Sequence, residues 1–371
     1  MTHRERFHRI FNFQPVDRIP NYYFGSWPET KERWAKEGFD GEMSAGRSQG
    51  PQLEGMDPDW EPGLWEAHGL VNLGPIGDME PVVLKEGNGT RILRSAIGEE
   101  TLWRTDGSSI PHTLVHALEP SRESWNRFKR FLDANDARRF PDGWQQKAEE
   151  LNKRDVVTAF MGGSFYGWIR GWMGVENISY LMYDDPELFE EMISTITDHF
   201  MTLMKPVLAV AKFDFVYFFE DCCGSHGPLF SPAFYRKFMD QYYRKLIRFY
   251  KENGVPLALV DSDGKSDQLI PCWLESGFDI IFPVEVGVWN ASPGKLREQF
   301  GEKLRMLGGM NKNLIYGPEE DLRTHLMELK IQVDAGGYLP IPDHRIPPQV
   351  SYDQMRQYIQ LFEEIFNPSM T

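Results

Sequence analysis

The chain has 371 residues, 41% of them hydrophobic and 26% charged, and carries a formal net charge of −15. That acidic balance, with no Lys/Arg-rich run, excludes a phosphate-backbone partner, so no nucleic acid is expected. Three cysteines (Cys222, Cys223, Cys272) cannot build a disulfide framework and fit a reducing compartment. No apolar run approaches the ~20 residues that span a bilayer, and Met1–Arg6 lacks the apolar core of a signal peptide. The expectation is a cytoplasmic protein, with no membrane partner, that acts on a small-molecule substrate.

Residues Thr2 to Phe11 space aromatics among charges as a short amphipathic helix does. Val16 to Phe24 reads as a first core strand ending at Gly25. Between about residues 75 and 114 the pattern changes to antiparallel hairpins: Pro81–Leu84, the turn Glu86–Gly89, Thr90–Leu93 and Glu100–Trp103. This stretch has too few apolar residues for its own core and is expected to be an insertion. From Ser121 onward helices and strands alternate. Ser121 is a candidate N-cap for a helix to Leu132, a long helix covers Glu187 to Val210, and Ser231-Pro232 opens another. Strands are expected at Val156–Phe160, Phe213–Phe219, Pro256–Val260, Phe278–Val284, Lys303–Leu307 and Gly337–Ile341. That rhythm predicts an α/β fold, a (β/α)₈ TIM barrel with a β-hairpin insertion, forming one domain over residues 1–371. No GxGxxG follows the early strands, which counts against a dinucleotide-binding fold.

Barrel enzymes place their reactive groups where the strands end at the C-terminal face. Those points carry Tyr23 and Trp27, then Phe165 and Tyr166, Glu220, Asp261 and Asp263, Glu285, and His344. Alternation along a strand end sends Asp261 and Asp263 to one side. With Glu220, Glu285 and His344 they form an oxygen and nitrogen donor set of the type that holds Zn²⁺. The alternative makes Asp263-Gly264 a turn and Asp261 a helix cap. His344 directly follows a core strand and precedes the rigid Ile346-Pro347-Pro348, which suits a donor, base or ligand. His226 is a candidate at the pocket rim. The aromatics of Gly162 to Trp172 read either as a wall for a flat ligand or as core packing at helical spacing.

Several segments together resemble the uroporphyrinogen decarboxylase superfamily, which also contains cobalamin-dependent methyltransferases. They are Arg4-Glu5-Arg6-Phe7 with Pro15 to Pro20, Gly227 to Phe234, Val260 to Gly264, Gly308 to Lys312, and Gly336 to Pro348. The resemblance implies the same barrel and a homodimer. The decarboxylases carry an arginine-rich motif after the first strand, whereas Tyr23-Phe24-Gly25-Ser26-Trp27-Pro28-Glu29 has no arginine, so porphyrinogen decarboxylation is not expected. The methyltransferase branch holds zinc with a His-x-Cys pair and a later Cys. Asp261, Asp263 and His344 fall at those places, which implies a harder metal site. The resulting expectation is transfer of a methyl group from a small methylated substrate, such as a methyl ether, to a corrinoid (cobalamin) carried by a partner protein. Zn²⁺ would be held by Asp261, Asp263, His344 and Glu220, with His344, Glu220 and Asp263 as catalytic groups. Tyr23, Trp27, Phe165, Tyr166, Glu285 and His226 would line the substrate pocket. The alternatives are a decarboxylase or lyase of a small carboxylic acid, and a non-catalytic tetrapyrrole binder.

Overall fold

The computed structural model describes residues 1–23, 25–39, 53–57, 67–105 and 111–368. Four strands, β1 (Val82–Gly87), β2 (Thr90–Arg94), β3 (Glu100–Arg104) and β4 (His112–Val115), form an antiparallel sheet in sequential order. They are the expected insertion. Asn88 and Gly89 both take positive φ between the paired Gly87 and Thr90, as a tight hairpin turn between twisted strands requires. β1 is exposed along its whole length, in keeping with a sheet that has little core of its own.

The remaining strands follow in chain order. They are β5 (Ala159–Met161), β6 (Phe215–Phe219), the two-residue strands β7 (Cys223–Gly224) and β8 (Gly227–Pro228), β9 (Leu257–Asp261), β10 (Ile280–Val284), β11 (Arg305–Met310) and β12 (Tyr338–Pro342). Six of them form one parallel sheet in the order β12-β11-β10-β9-β6-β5. Apart from Arg305 at the start of β11 and Asp261 at the end of β9, their sequences are apolar runs rather than alternating ones, because such a sheet has no wet face. β9, β10 and β12 are buried at every position. The strands expected from Val156 onward are all present, with ends displaced by a few residues.

The early chain flanks this sheet. Ser26 makes a parallel bridge to Ile346, whose N–H donates to the Gly25 carbonyl at 2.8 Å, while Trp27 N–H donates to the Ile346 carbonyl at 3.2 Å. At the opposite edge, His68 Nε2 lies 3.0 Å from the Ala159 carbonyl of β5, and the following Leu70, Val71 and Leu73 are buried. The expected strand before Gly25 is a buried extended segment at Tyr22 and Tyr23; its Phe24 lies outside the described residues. Pro15 and Pro20 remove backbone donors from that stretch, which weakens any ladder.

Helix α1 (His3–Phe11) is capped by Thr2, whose hydroxyl accepts from Glu5 N–H at 3.1 Å. It buries Phe7, Ile10 and Phe11. Its Arg4 and His8 reach Asp214, buried just before β6, at 3.1 and 2.7 Å. Helix α2 (Pro28–Lys36), which the sequence reading left out, starts with proline at its first position. The caps expected at Ser121 and Ser231 are present, accepting from Ser124 and Phe234 N–H at 3.2 and 3.1 Å. Each such cap contributes about 1 kcal/mol. Among the described residues no helix is long and apolar enough to cross a membrane.

Candidate active site

Parallel register brings the strand ends together: Phe219 pairs with Asp261, and Phe282 with Asp261 on the other side. Glu220, Asp263, Glu285, Asn311 and His344 therefore leave the sheet at the same end, the C-terminal face where barrels carry chemistry.

Glu220 follows β6 and is 1% exposed. Its carboxylate accepts from the N–H groups of Phe165, Tyr166 and Gly167 at 2.8, 2.9 and 3.3 Å, and from the Tyr243 hydroxyl. Those three N–H groups open the Tyr166–Asp184 helix, where backbone donors lack intrahelical partners. Burial pushes the Glu220 pKa upward against the pull of these four bonds. Glu220 is thus a structural acid that ties the helix start to the sheet.

Asp261 closes β9. Its side chain accepts from the Tyr217 hydroxyl and its carbonyl takes Glu220 N–H at 2.8 Å. Asp263 lies beyond it on the turn that the Asp-Gly pair allows. Gly264 has φ of +87°, and a Cβ there would stand 2.5 Å from the Cys223 carbonyl oxygen, so no other residue fits. The Gly264 N–H donates to Glu285 Oε2 at 2.6 Å. Glu285 is 3% exposed and its pKa is pushed up to about 7. Burial is the main cause and Asp263 adds to it; the Gly264 hydrogen bond, His344 and Lys312 work in the opposite direction.

His344 Nε2 lies 3.5 Å from Asp263 Oδ2, and its ring stacks on Trp27 at 5.8 Å between centroids. Asp263 Oδ1 is buried with no hydrogen-bond partner among the described residues. Arg345 places its guanidinium 4.9 Å from the Trp27 ring centroid. The fully buried Asp343 accepts from Gly287 N–H at 2.8 Å and Lys312 N–H at 3.1 Å, with Lys312 Nζ at 3.5 Å.

Glu285, Asp263, His344 and Trp27 therefore form one cluster with Lys312 beside it. Phe165 and Tyr166 belong to the core instead: Phe165 packs on Tyr243 at 4.2 Å and Tyr166 on Phe230 at 5.3 Å. Tyr23 is buried. His226 is exposed at the β7–β8 turn and bonds Ser225 at 2.9 Å, which leaves it outside the cluster. Lys312 and the Gly264 N–H were not singled out from the sequence, and Arg345 was read only as part of the last strand end. The signal for Lys312 and Arg345 was position, since Lys312 lies two residues past β11 (Arg305–Met310) and Arg345 directly follows His344.

The expected zinc set does not assemble. Among the described residues no three His, Cys, Asp or Glu side chains are arranged to hold a metal ion. The physical reason is that Glu220 is committed to the helix start and Asp261 to Tyr217, which leaves Asp263 and His344 as a pair. These residues do not fit the zinc site drawn from Asp261, Asp263, His344 and Glu220.

A family profile described as Uroporphyrinogen decarboxylase (URO-D) matches residues 123–365. The chain belongs to this family. Relatives include the uroporphyrinogen decarboxylases of Pseudomonas savastanoi pv. phaseolicola, 26% identical over 233 residues, and of Pseudomonas fluorescens, 24% identical over 234 residues. Each match covers 58% of this chain and 61% of the relative's length. Among solved structures, a methyltransferase from Methanosarcina mazei aligns over 98% of this chain and 99% of its own, with a TM-score of 0.55 at 14% identity. That whole-length match bears out the barrel.

Proposed function

We propose that this family member transfers a methyl group from a small methyl ether to the reduced corrinoid of a partner protein, with Glu285 protonating the departing oxygen. The observation that carries the reading is the buried Glu285 carboxyl at the barrel mouth, whose pKa of about 7 leaves it half protonated at neutral pH. Attack on the methyl carbon breaks the C–O bond and leaves the electron pair on oxygen. A positioned carboxylic acid delivers the proton at that oxygen, which is the task for which a raised pKa suits a glutamate. The Gly264 N–H holds Glu285 Oε2, which leaves Oε1 to carry the proton. His344, set by the Trp27 ring and Asp263, orients the substrate.

Two further observations support this reading. The stretch after the first core segment has no arginine, so it does not supply the motif that the decarboxylases use for a polyanionic substrate. A solved structure that the chain matches over nearly its whole length is named as a methyltransferase. The test is to mix the protein with aryl and alkyl methyl ethers and cob(I)alamin, and to follow methylcobalamin formation. Expected is turnover that falls about 100-fold in Glu285→Gln, the scale of a lost general acid. Release of CO₂ from small carboxylic acids with no methyl transfer would replace this reading by the lyase one.

A further inference from the structure

Glu285 stands at a junction between a rigid element and a loose one. Behind it β10 is buried at every position; ahead of it lies the four-residue helix Val286–Trp289, with Gly287 and Val288 exposed. A helix of one turn has too few internal hydrogen bonds to hold itself in place. The side chain that fastens this one belongs to Asp343, which follows β12 and is fully buried. Asp343 Oδ2 accepts from the N–H of Gly287, two residues beyond Glu285, at 2.8 Å. Asp343 Oδ1 accepts from Lys312 N–H at 3.1 Å and faces Lys312 Nζ at 3.5 Å. The Asp343 N–H itself donates to the Met310 carbonyl of β11 at 2.8 Å. One carboxylate thus joins the ends of three neighbouring strands, β10, β11 and β12.

The fit around this carboxylate is close. A Cβ at Gly287 would stand 3.2 Å from Asn313 Nδ2, 3.4 Å from Asn311 Oδ1 and 3.5 Å from Asp343 Oδ2, so the helix backbone reaches Asp343 because position 287 has no side chain. A buried carboxylate is costly unless its oxygens meet donors, and here two N–H groups and one ammonium meet them. The next residue, His344, is the one that faces Asp263 and stacks on Trp27. We propose that Asp343 is the positioning residue of the site, a clamp that fixes Glu285 through Gly287 and His344 through the chain without touching the substrate. A displacement of about 1 Å at a reacting group costs about 100-fold in rate, so an acid on a one-turn helix needs such a clamp. The inference rests on the methyl-transfer reading for what Glu285 does, but not for the clamp itself.

The experiment is hydrogen–deuterium exchange of the full-length protein, which needs no substrate. In Asp343→Asn the new amide group donates where an N–H already donates, so part of the clamp is lost. Asp343→Ala combined with Lys312→Met is the second variant; it removes both charges, so no ion is left unpaired in the core. Exchange over residues 286–290 should rise about tenfold, while β10 stays protected. Glu285 itself is followed through its infrared carboxyl band, the one absent from Glu285→Gln. The groups that face it are Asp263 and the Gly264 N–H from the end of β9, His344 from the end of β12 and Lys312 from the end of β11. Burial is the main cause of its raised pKa and outweighs Lys312, so admitting water should move the midpoint down from about 7 in both variants. A merely structural role would lower the melting temperature and leave that midpoint in place. With methyl ethers and cob(I)alamin, kcat should fall about 100-fold while KM stays within about threefold. Unchanged exchange over 286–290 in both variants, a rise there with an unmoved Glu285 midpoint, or unfolding of both variants would overturn the proposal. If exchange and midpoint respond in a protein that moves no methyl group, the function above fails and the clamp stands.

Discussion

Glu220 and Glu285 follow β6 and β10, each at the end of its strand, and both are almost fully buried. Their surroundings differ in how many donors they meet. Glu220 takes three backbone N–H groups and a tyrosine hydroxyl; Glu285 takes the Gly264 N–H. Where helix N–H groups point at a buried carboxylate, the acid becomes part of the scaffold. Where one donor meets it beside Asp263, the same side chain is left ready to exchange a proton near neutral pH. Position at a strand end does not separate the two roles; the count of donors does.

The largest expected effect tests the first half of that contrast. Glu220→Ala orphans three backbone donors and a buried hydroxyl, and should cost about 3–5 kcal/mol in urea unfolding, the combined scale of several unmet buried groups. Glu285→Gln should do the reverse. It should lower methyl transfer about 100-fold while changing stability by less than about 1 kcal/mol at about pH 4, where the wild-type carboxyl is protonated, since the amide oxygen still accepts from Gly264. Equal stability losses in the two variants would erase the distinction.

The pH dependence sharpens it. The folded Glu285 pKa of about 7 lies above the ~4.3 of an unfolded glutamate, so the folded state holds the proton more tightly. The stability this gives is present at low pH and is lost as pH rises through about 7. Melting temperatures of the wild type minus those of Glu285→Gln should therefore fall between pH 5 and pH 8. Activity that needs the protonated acid should fall over the upper part of the same range. A flat difference would show that Glu285 is an ordinary carboxylate. The smallest expected effect belongs to His226→Ala, which should alter neither turnover nor stability beyond about 0.5 kcal/mol, as for an exposed loop residue. A clear loss of turnover would return His226 to the site.

The barrel was legible because its strands are continuous apolar runs ending at glycine-bounded turns, and runs such as Phe215–Phe219 have no competing reading. The strand-end acids were legible for the same reason. Their division of labour was not, because it depends on the N–H groups of residues 165–167, which come from another part of the chain. Asp263-Gly264 could be read as a turn or as part of a ligand set, and the left-handed Gly264 realises the turn. Helix α2 was missed because it is nine residues long and mostly polar. Phe165, Tyr166, Trp168 and Trp172 show the opposite case: at helical spacing they pack inward, and all four are core residues.

The fastening of α1 has a consequence for the order of folding. Its Arg4 and His8 hold Asp214, and its Ile10 carbonyl takes the Gly337 N–H at 2.8 Å. Ser26 finds its bridge partner at Ile346. These early segments therefore wait for partners made hundreds of residues later, and such distant contacts slow folding because loop entropy must be lost before they form. During synthesis the apolar face of Phe7, Ile10 and Phe11 would emerge long before the strands that cover it. A nascent chain of this protein is thus most in need of a chaperone at its first helix, and limited proteolysis of stalled chains should cut there until β12 has left the ribosome.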